Sequence, residues 1–397
     1  MRPLAARIQA VFRLRAIVVL ALLASPAWGQ APWGPRVRAV GELLLAQQTP
    51  HGCIPDVPLG LRAHQDGAMA RTLLALGYAY RATMQVGFRN GFREGLRWMG
   101  ACMEKKDRRW TGTWRHAYAA RPPYVALSTS PDGIAEDARG MSSASALFVY
   151  LLALHTHLTD DPTVANAHRR HVRAALDFIL EHNRGPNDLF YSGWHQAKGA
   201  IDWKLCRKQY ASDQADVYLG LQAGHWLLGL PRYKVAAEKL YRRFPRALHD
   251  RRTGAFGIAL DEQGKLLPAS DTCESYFTQG YLAWAFGPMK ETEDGMKWLH
   301  ERLAPDGTIR RKKADTPYIL PLAAFCMGSS RLGLYPLEVR RAKRFLREIA
   351  MTPQGGIREA AERDATTRND LAGWVVSAWL SVRPRPFGRQ PAVPGGP

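Results

Sequence analysis

Acidic residues are scarce in this chain: 35 Asp and Glu stand against 55 Lys and Arg among 397 residues, a formal net charge of +20. The excess disfavours cationic partners and points to anionic ones. Cysteines number only five, and with no CxxC and no HExxH the common zinc frameworks are excluded; no metal or cofactor is expected. A GxSxG elbow, a P-loop and a GxGxxG turn are also missing, which removes α/β serine hydrolases, P-loop nucleotidases and dinucleotide enzymes. Short β-branched runs bounded by turns do not occur, and this disfavours a parallel β architecture. Nor is there a module that reads nucleic acid.

What is present is a helical repeat. Runs rich in Ala, Gly, Leu and aromatics (66–81, 136–158, 213–230, 271–286, 315–330 and 370–382) alternate with amphipathic, basic ones such as 37–48, 164–182, 232–249 and 337–351. Helices apolar all round are buried, and those with one charged face form an outer layer. A glycine-bearing loop follows each amphipathic run: His51-Gly52-Cys53-Ile54, Thr111-Gly112-Thr113-Trp114, Tyr191-Ser192-Gly193-Trp194, Thr253-Gly254-Ala255-Phe256, Asp306-Gly307-Thr308-Ile309 and Gln354-Gly355-Gly356-Ile357. Their spacing, roughly 50 to 80 residues, is that of helical hairpin arrays. The first amphipathic run has no apolar partner before it and the last apolar run has none after it, so the two ends can pair. The expected fold is therefore an all-α (α/α)6 toroid forming one domain, with an open solenoid as the alternative.

At the N-terminus, Arg2, Arg7, Arg13 and Arg15 precede an apolar run from Ala16 to Ala24 and a small-x-small site, Ala27-Trp28-Gly29. This reads as a secretory signal over 1–29, too short to be a permanent span, and places the mature protein in the periplasm or outside the cell without a transmembrane anchor. Residues 30–382 would be the toroid, and 383–397 a disordered tail rich in Pro, Gly and Arg. In an oxidising compartment the expected disulfides are Cys53–Cys102 and Cys206–Cys273, with Cys326 a buried thiol.

The segments Gln47-Gln48-Thr49-Pro50-His51-Gly52-Cys53-Ile54-Pro55, Leu189-Phe190-Tyr191-Ser192-Gly193-Trp194-His195 and Ser212-Asp213-Gln214-Ala215-Asp216-Val217-Tyr218-Leu219, set in this repeat, resemble the six-hairpin glycosidase-like superfamily. That superfamily holds glycoside hydrolases, toroidal polysaccharide lyases and sugar epimerases. The resemblance spans nearly all of the mature chain and implies a substrate cleft where the inner helices begin.

Carboxylates stand at each of those starts: Asp66, Glu136 with Asp137, Asp213 with Asp216, Asp271 with Glu274, Asp315 and Asp370. Acids in a first turn often only cap N–H groups, and Asp271-x-x-Glu274 and Thr367-x-x-Asp370 look like capping boxes. A closed ring nevertheless points them into one cleft, and glycosidic hydrolysis needs two carboxyl groups about one bond. Asp137 and Asp216 are ranked first, then Asp213, Glu136 and Asp271. Arg139 is expected to hold one carboxylate of the 136–137 pair ionised, and the proximity of Asp213 to raise the pKa of Asp216. An inverting mechanism is the default for carboxylates on different helices.

Loop residues Trp114, Tyr191, Trp194 and Trp203 offer faces for sugar stacking, and His116, His195, Arg207 and Lys208 offer polar and cationic contacts to an anionic glycan. Trp98, Trp226, Trp284, Trp298, Trp374 and Trp379 lie inside helices and read as core. Two alternatives remain: a lyase or epimerase acting on uronates through a His or Tyr base, and a noncatalytic protein binding anionic glycans or the anionic envelope surface.

Overall fold

The alternation of apolar and amphipathic runs resolves into two concentric rings of helices. A computed structural model describes residues 33–64, 68–127, 137–197, 200–310, 317–359 and 367–384. The outer helices are α1 (Gly34–Gln47), α3 (Val86–Cys102), α5 (Arg169–His182), α7 (Pro231–Leu248), α9 (Lys290–His300) and α11 (Pro336–Phe345). Between them in sequence run the inner helices α2 (Ala68–Thr83), α4 (Ser142–Thr159), α6 (Ala211–Leu228), α8 (Cys273–Phe286), α10 (Ile319–Leu332) and α12 (Asn369–Trp379). This is the expected (α/α)6 toroid, and no described helix is long and apolar enough to cross a membrane.

Inner helices are buried on every side: in α4 each residue from Ser142 to Thr156 is covered. Outer ones bury a single stripe, which in α7 is Tyr233, Ala236, Ala237, Leu240, Phe244 and Leu248, and turn their charges to solvent. The six helical tryptophans read as core are all buried.

The loop glycines explain how the hairpins interlock. In five of the six loops the glycine has a left-handed backbone. Gly52 shows why: at φ +95° it lies against the backbone of α3, where an added Cβ would come 2.1 Å from the Glu94 carbonyl oxygen. Gly355 makes the same approach to α1, 2.5 Å from the Ala39 oxygen, so the last loop docks on the first outer helix and closes the ring. Closure is completed by Trp33 stacked on Trp379, with ring centroids 6.0 Å apart, and by Gln47 paired with Asn369 at 2.8 Å. The loop around Gly193 differs, because this glycine begins a strand rather than a turn.

Among the described residues eleven short strands, absent from the expectation, decorate the end where the inner helices begin. One sheet joins β1 (Arg62–His64), β2 (Ala117–Ala119) and β3 (Ala126–Leu127), and a second joins β4 (Asp137–Arg139), β5 (Gly193–Gln196) and β6 (Lys204–Cys206). A third joins β7 (Gln209–Tyr210), β10 (Ala259–Leu260) and β11 (Leu266–Leu267), and a two-stranded ladder joins β8 (His249–Asp250) to β9 (Ala255–Phe256). Two inner-helix glutamines pin such loops. Gln214 accepts from the Phe190 N–H at 2.8 Å and donates back to its carbonyl at 2.9 Å, and Gln279 makes the same pair of bonds with Phe256.

Several local expectations are corrected. Asp137 lies in β4, five residues before α4 begins, because the chain pairs with β5 before it coils. The cap of α8 is Thr272, whose hydroxyl accepts from the Ser275 N–H, so Asp271-x-x-Glu274 is no capping box; α12 has no side-chain cap. The expected Cys53–Cys102 disulfide is not formed, both residues standing as thiols, while the Cys206–Cys273 pairing stays an expectation. Cys53 and Cys102 are neighbours with thiols pushed upward in pKa, chiefly by burial, and Cys326 is the buried thiol anticipated. The signal segment, Asp66, Glu136, Asp315 and the tail beyond residue 384 lie outside the described residues.

Candidate functional site

Two groups of polar and aromatic side chains stand out, one among the inner helices and one in the loops at the end where those helices start. The first lies on the axis. Arg71 in the first turns of α2, Tyr150 of α4, Tyr281 and Trp284 of α8 and Trp374 of α12 border a narrow, water-sized void of about 10 Å³ between the inner helices. Asp216 of α6 is buried and accepts a hydrogen bond at Oδ1 from the Tyr281 hydroxyl. Its Oδ2 is buried with no hydrogen-bond partner, and so is the Nε of Arg71. Asp216 does not line the void itself but stands behind Tyr281, which does; a buried acceptor and a buried donor left unspent in one core are an unusual cost. Arg71 is held in place by Trp374, over whose ring its guanidinium sits at 5.2 Å, and Trp374 meets Tyr281 edge-on at 4.8 Å.

Burial pushes the Asp216 carboxyl up to about 6; the positive charge of Arg71 and the bond from Tyr281 pull the other way. The expected cause was repulsion by Asp213, and the observed one is desolvation, because Asp216 points inward among aromatic rings. Tyr281 is itself raised well above the usual tyrosine range, mainly by burial and then by the Asp216 charge, so it remains a donor.

Nearer the mouth stand other carboxylates. Asp213 occupies the first turn of α6, one turn above Asp216. Glu274, in the first turn of α8, is raised by burial and drawn down in part by Lys208. Asp370 is held by both Nε and Nη2 of Arg368, at 3.0 and 2.9 Å. Asp271 is exposed and meets Arg302 at 3.3 Å.

The second group is built by β4, β5 and the loops beside them. Asp137 is buried, ion-paired with Arg115 and bonded through Oδ1 to the Ala138 N–H at 2.8 Å. Arg115, not Arg139, is therefore its cation. An isolated bridge pairs Arg115 with Arg139, and Arg139 also faces Trp194 across β4 and β5. His116 is buried and donates its backbone N–H to the Ala138 carbonyl at 2.7 Å. Trp114 is buried against Phe148, with its indole N–H on the Met99 carbonyl. Trp194 donates to Asn183 at 2.9 Å. His195 and Tyr191 are half-buried on and beside β5, Trp203 and Lys208 are half-buried, and Arg207 is exposed.

The structure thus gathers Asp216 with Asp213, and separately Asp137 with His116, Trp194 and Trp203. Arg71, Tyr281 and Trp374 were not singled out as site residues. Arg71 had a visible signal, being one of only three arginines in the apolar inner runs; Tyr281 and Trp374 had none that distinguishes a lined void from a filled core.

No family model matches the sequence, and no curated protein sequence matches it. Solved structures do. A cellobiose 2-epimerase from Bacillus thermoamylovorans B4167 is similar at a TM-score of 0.65 with 11% identity, over 86% of this chain and 96% of that one. The unsaturated glucuronyl hydrolase of Bacillus sp. GL1 gives 0.60 with 12% identity, over 89% and 96%. An inactive variant of an alpha-1,6-mannanase of Salegentibacter sp. HEL1_6, in complex with alpha-1,6-mannotriose, gives 0.59 with 11% identity, over 88% and 98%. The fold these structures share with this chain is the (α/α)6 toroid. At these identities the six-hairpin likeness concerns architecture, and the chemistry has to be read from the side chains.

Proposed function

We propose that this six-hairpin protein is an exported carbohydrate-active enzyme that hydrolyses glycosidic bonds of an acidic polysaccharide, with Asp216 as general acid. The observation that carries the reading is the unpartnered Oδ2 of the buried Asp216, whose carboxyl is raised to about 6 and is bonded to Tyr281 at the edge of the axial void. A carboxylic acid that holds its proton up to about pH 6 and has one oxygen free to offer it suits protonation of a leaving glycosidic oxygen. Tyr281 fixes the orientation of the acid, and Arg71 and Trp374 offer a donor and an aromatic face to the sugar. Asp213 or Glu274 supplies the second carboxylate, with a water between it and the sugar in the inverting case.

Asp137 has a different part in this scheme: engaged by Arg115 and by its own strand, it positions the arginine. Glu136 and Asp271 remain further candidates. Trp194, His195, Arg207 and Lys208 would meet the chain farther from the axis, while Trp114 and His116 support the loops from beneath. Elimination from a uronate fits less well, because Tyr281 is held protonated and His116 is enclosed.

The test is incubation of the mature protein with neutral and uronate-bearing polysaccharides, following reducing ends and the ultraviolet absorbance of new double bonds together. The expected outcome is reducing ends without absorbance, lost by more than 100-fold in kcat in Asp216→Asn with binding retained. Absorbance rising in step with reducing ends would make the protein a lyase, and full activity in Asp216→Asn would remove the acid assigned here. Asp213→Asn and Glu274→Gln then identify the second carboxylate by which of them abolishes turnover.

A further inference from the structure

The expected sugar platforms Trp194 and Trp203 are not bare: arginines lie on them. The Arg109 guanidinium sits over Trp110 at 4.9 Å and over Trp194 at 5.4 Å, Arg139 over Trp110 at 4.7 Å and Trp203 at 4.5 Å, and Arg115 over Trp203 at 5.5 Å. Trp110 in turn meets Trp194 and Trp203 at 5.5 and 5.6 Å, each ring steeply inclined to it. The result is one ladder of alternating cations and indoles across the loops that lead to α4 and α6.

Three guanidiniums in one ladder repel each other, and Glu104 and Asp107 offset this in part, raising Arg139 against its burial without forming an ion pair with it. Arg115 and Arg139 are both depressed, first by burial; for Arg115 the charge of Arg139 is the next cause. Only Asp137 is ion-paired with the ladder, through Arg115. Glu104 is committed to the backbone N–H groups of Lys105, Lys106 and Asp107, and Asp107 to that of Arg109. Among the described residues no carboxylate lies within ion-pair reach of Arg109 or Arg139, and the Nε atoms of Arg115 and Arg139 are buried without a hydrogen-bond partner. Stacking occupies guanidinium faces and leaves the N–H edges, which are the groups that grip planar oxyanions.

We infer that the Arg109–Trp110–Arg139–Trp203–Arg115 ladder is a subsite for an oxyanion borne by the glycan, a uronate carboxylate or a sulfate ester, held by the Arg139 and Arg109 edges while its sugar lies along the neighbouring indoles. The inference rests on the carbohydrate reading above and names where the acidic group is read. Arg139 is a binding residue there and takes no part in bond cleavage.

Calorimetric titration of the full-length mature protein with neutral, uronate-bearing and sulfated oligosaccharides of matched length is the test, repeated for Arg139→Gln, Arg139→Lys and Arg109→Gln. The expected result is that one acidic series binds at least tenfold more weakly to Arg139→Gln and to Arg109→Gln, with partial recovery in Arg139→Lys, while the neutral series is unchanged. The series that responds distinguishes carboxylate from sulfate. Arg109 lies at the exposed end of the ladder, so its variant answers even if Arg139→Gln does not fold. Acidic glycan turned over with unchanged affinity in both glutamine variants would overturn the subsite and leave the hydrolase standing. Acidic glycan bound through the arginines without turnover would support the subsite and remove the hydrolase. Absence of acidic-glycan binding by the unaltered protein would overturn the subsite outright.

Discussion

A single buried carboxyl sets the pH response expected of this molecule. Asp216 holds its proton more tightly folded than unfolded, since burial lifts it from 3.8 to about 6. Its stabilising contribution is complete below the unfolded value and is lost as pH rises through about 6; above that the buried charge opposes folding by about 3 kcal/mol. Asp216→Asn retains an acceptor for Tyr281 and carries no charge. It is therefore expected to be more stable than the parent at pH 7.5, by up to about 3 kcal/mol, and equal to it at pH 4, in urea unfolding at the two pH values. Equal stability at both would mean that Asp216 is not desolvated. This property was half legible: the spacing of Asp213 and Asp216 marked the residue, but the cause assigned to its shift was a charge, whereas the aromatic walls contributed by α4, α8 and α12 are what exclude water.

At the scale of elements, the loop glycines carry the architecture. Gly52→Ala forces a Cβ onto the α3 backbone and keeps a left-handed φ, so about 3 kcal/mol or more of destabilisation is expected. Gly264 has a similar φ of +79° and nothing within 4 Å of its added Cβ; its alanine variant bears only the backbone strain, about 1 kcal/mol. Chemical denaturation of the two variants should separate them clearly, and equal losses would refute the interlocking role of Gly52. The glycines could be picked out from their repeating place after each amphipathic run. That Gly193 opens a strand could not, because β5 is made by pairing with the nearby β6 and with β4, which lies far back in the sequence, and strands of three or four residues carry no periodicity of their own.

For the whole molecule, closure is what turns six hairpins into a cavity. Gly373 of α12 lies so near α2 that a Cβ there would be 2.1 Å from the Arg71 carbonyl oxygen. Gly373→Val is expected to wedge α12 from α2, lower the thermal midpoint by 10 °C or more and loosen Arg71, so that activity falls further than the loss of folded protein explains. Circular dichroism melts together with turnover per folded molecule would test this, and an unchanged midpoint would place the closing contact elsewhere. Reading the ends of the chain as mutual partners was possible because the first amphipathic run and the last apolar run were each unpaired.

The sequence by itself determined the ring: hydrophobic periodicity, the count of six hairpins and the glycine after each outer helix depend on local order and survive any detail of packing. Only the tertiary structure decided the site. Asp216, Arg71, Tyr281 and Trp374 come from four different inner helices, and the arginines of the ladder from loops brought together by strand pairing. Whether a carboxylate caps its own helix, pairs with an arginine or stands unpartnered in the core depends on what other segments place beside it, and no spacing along one chain records that.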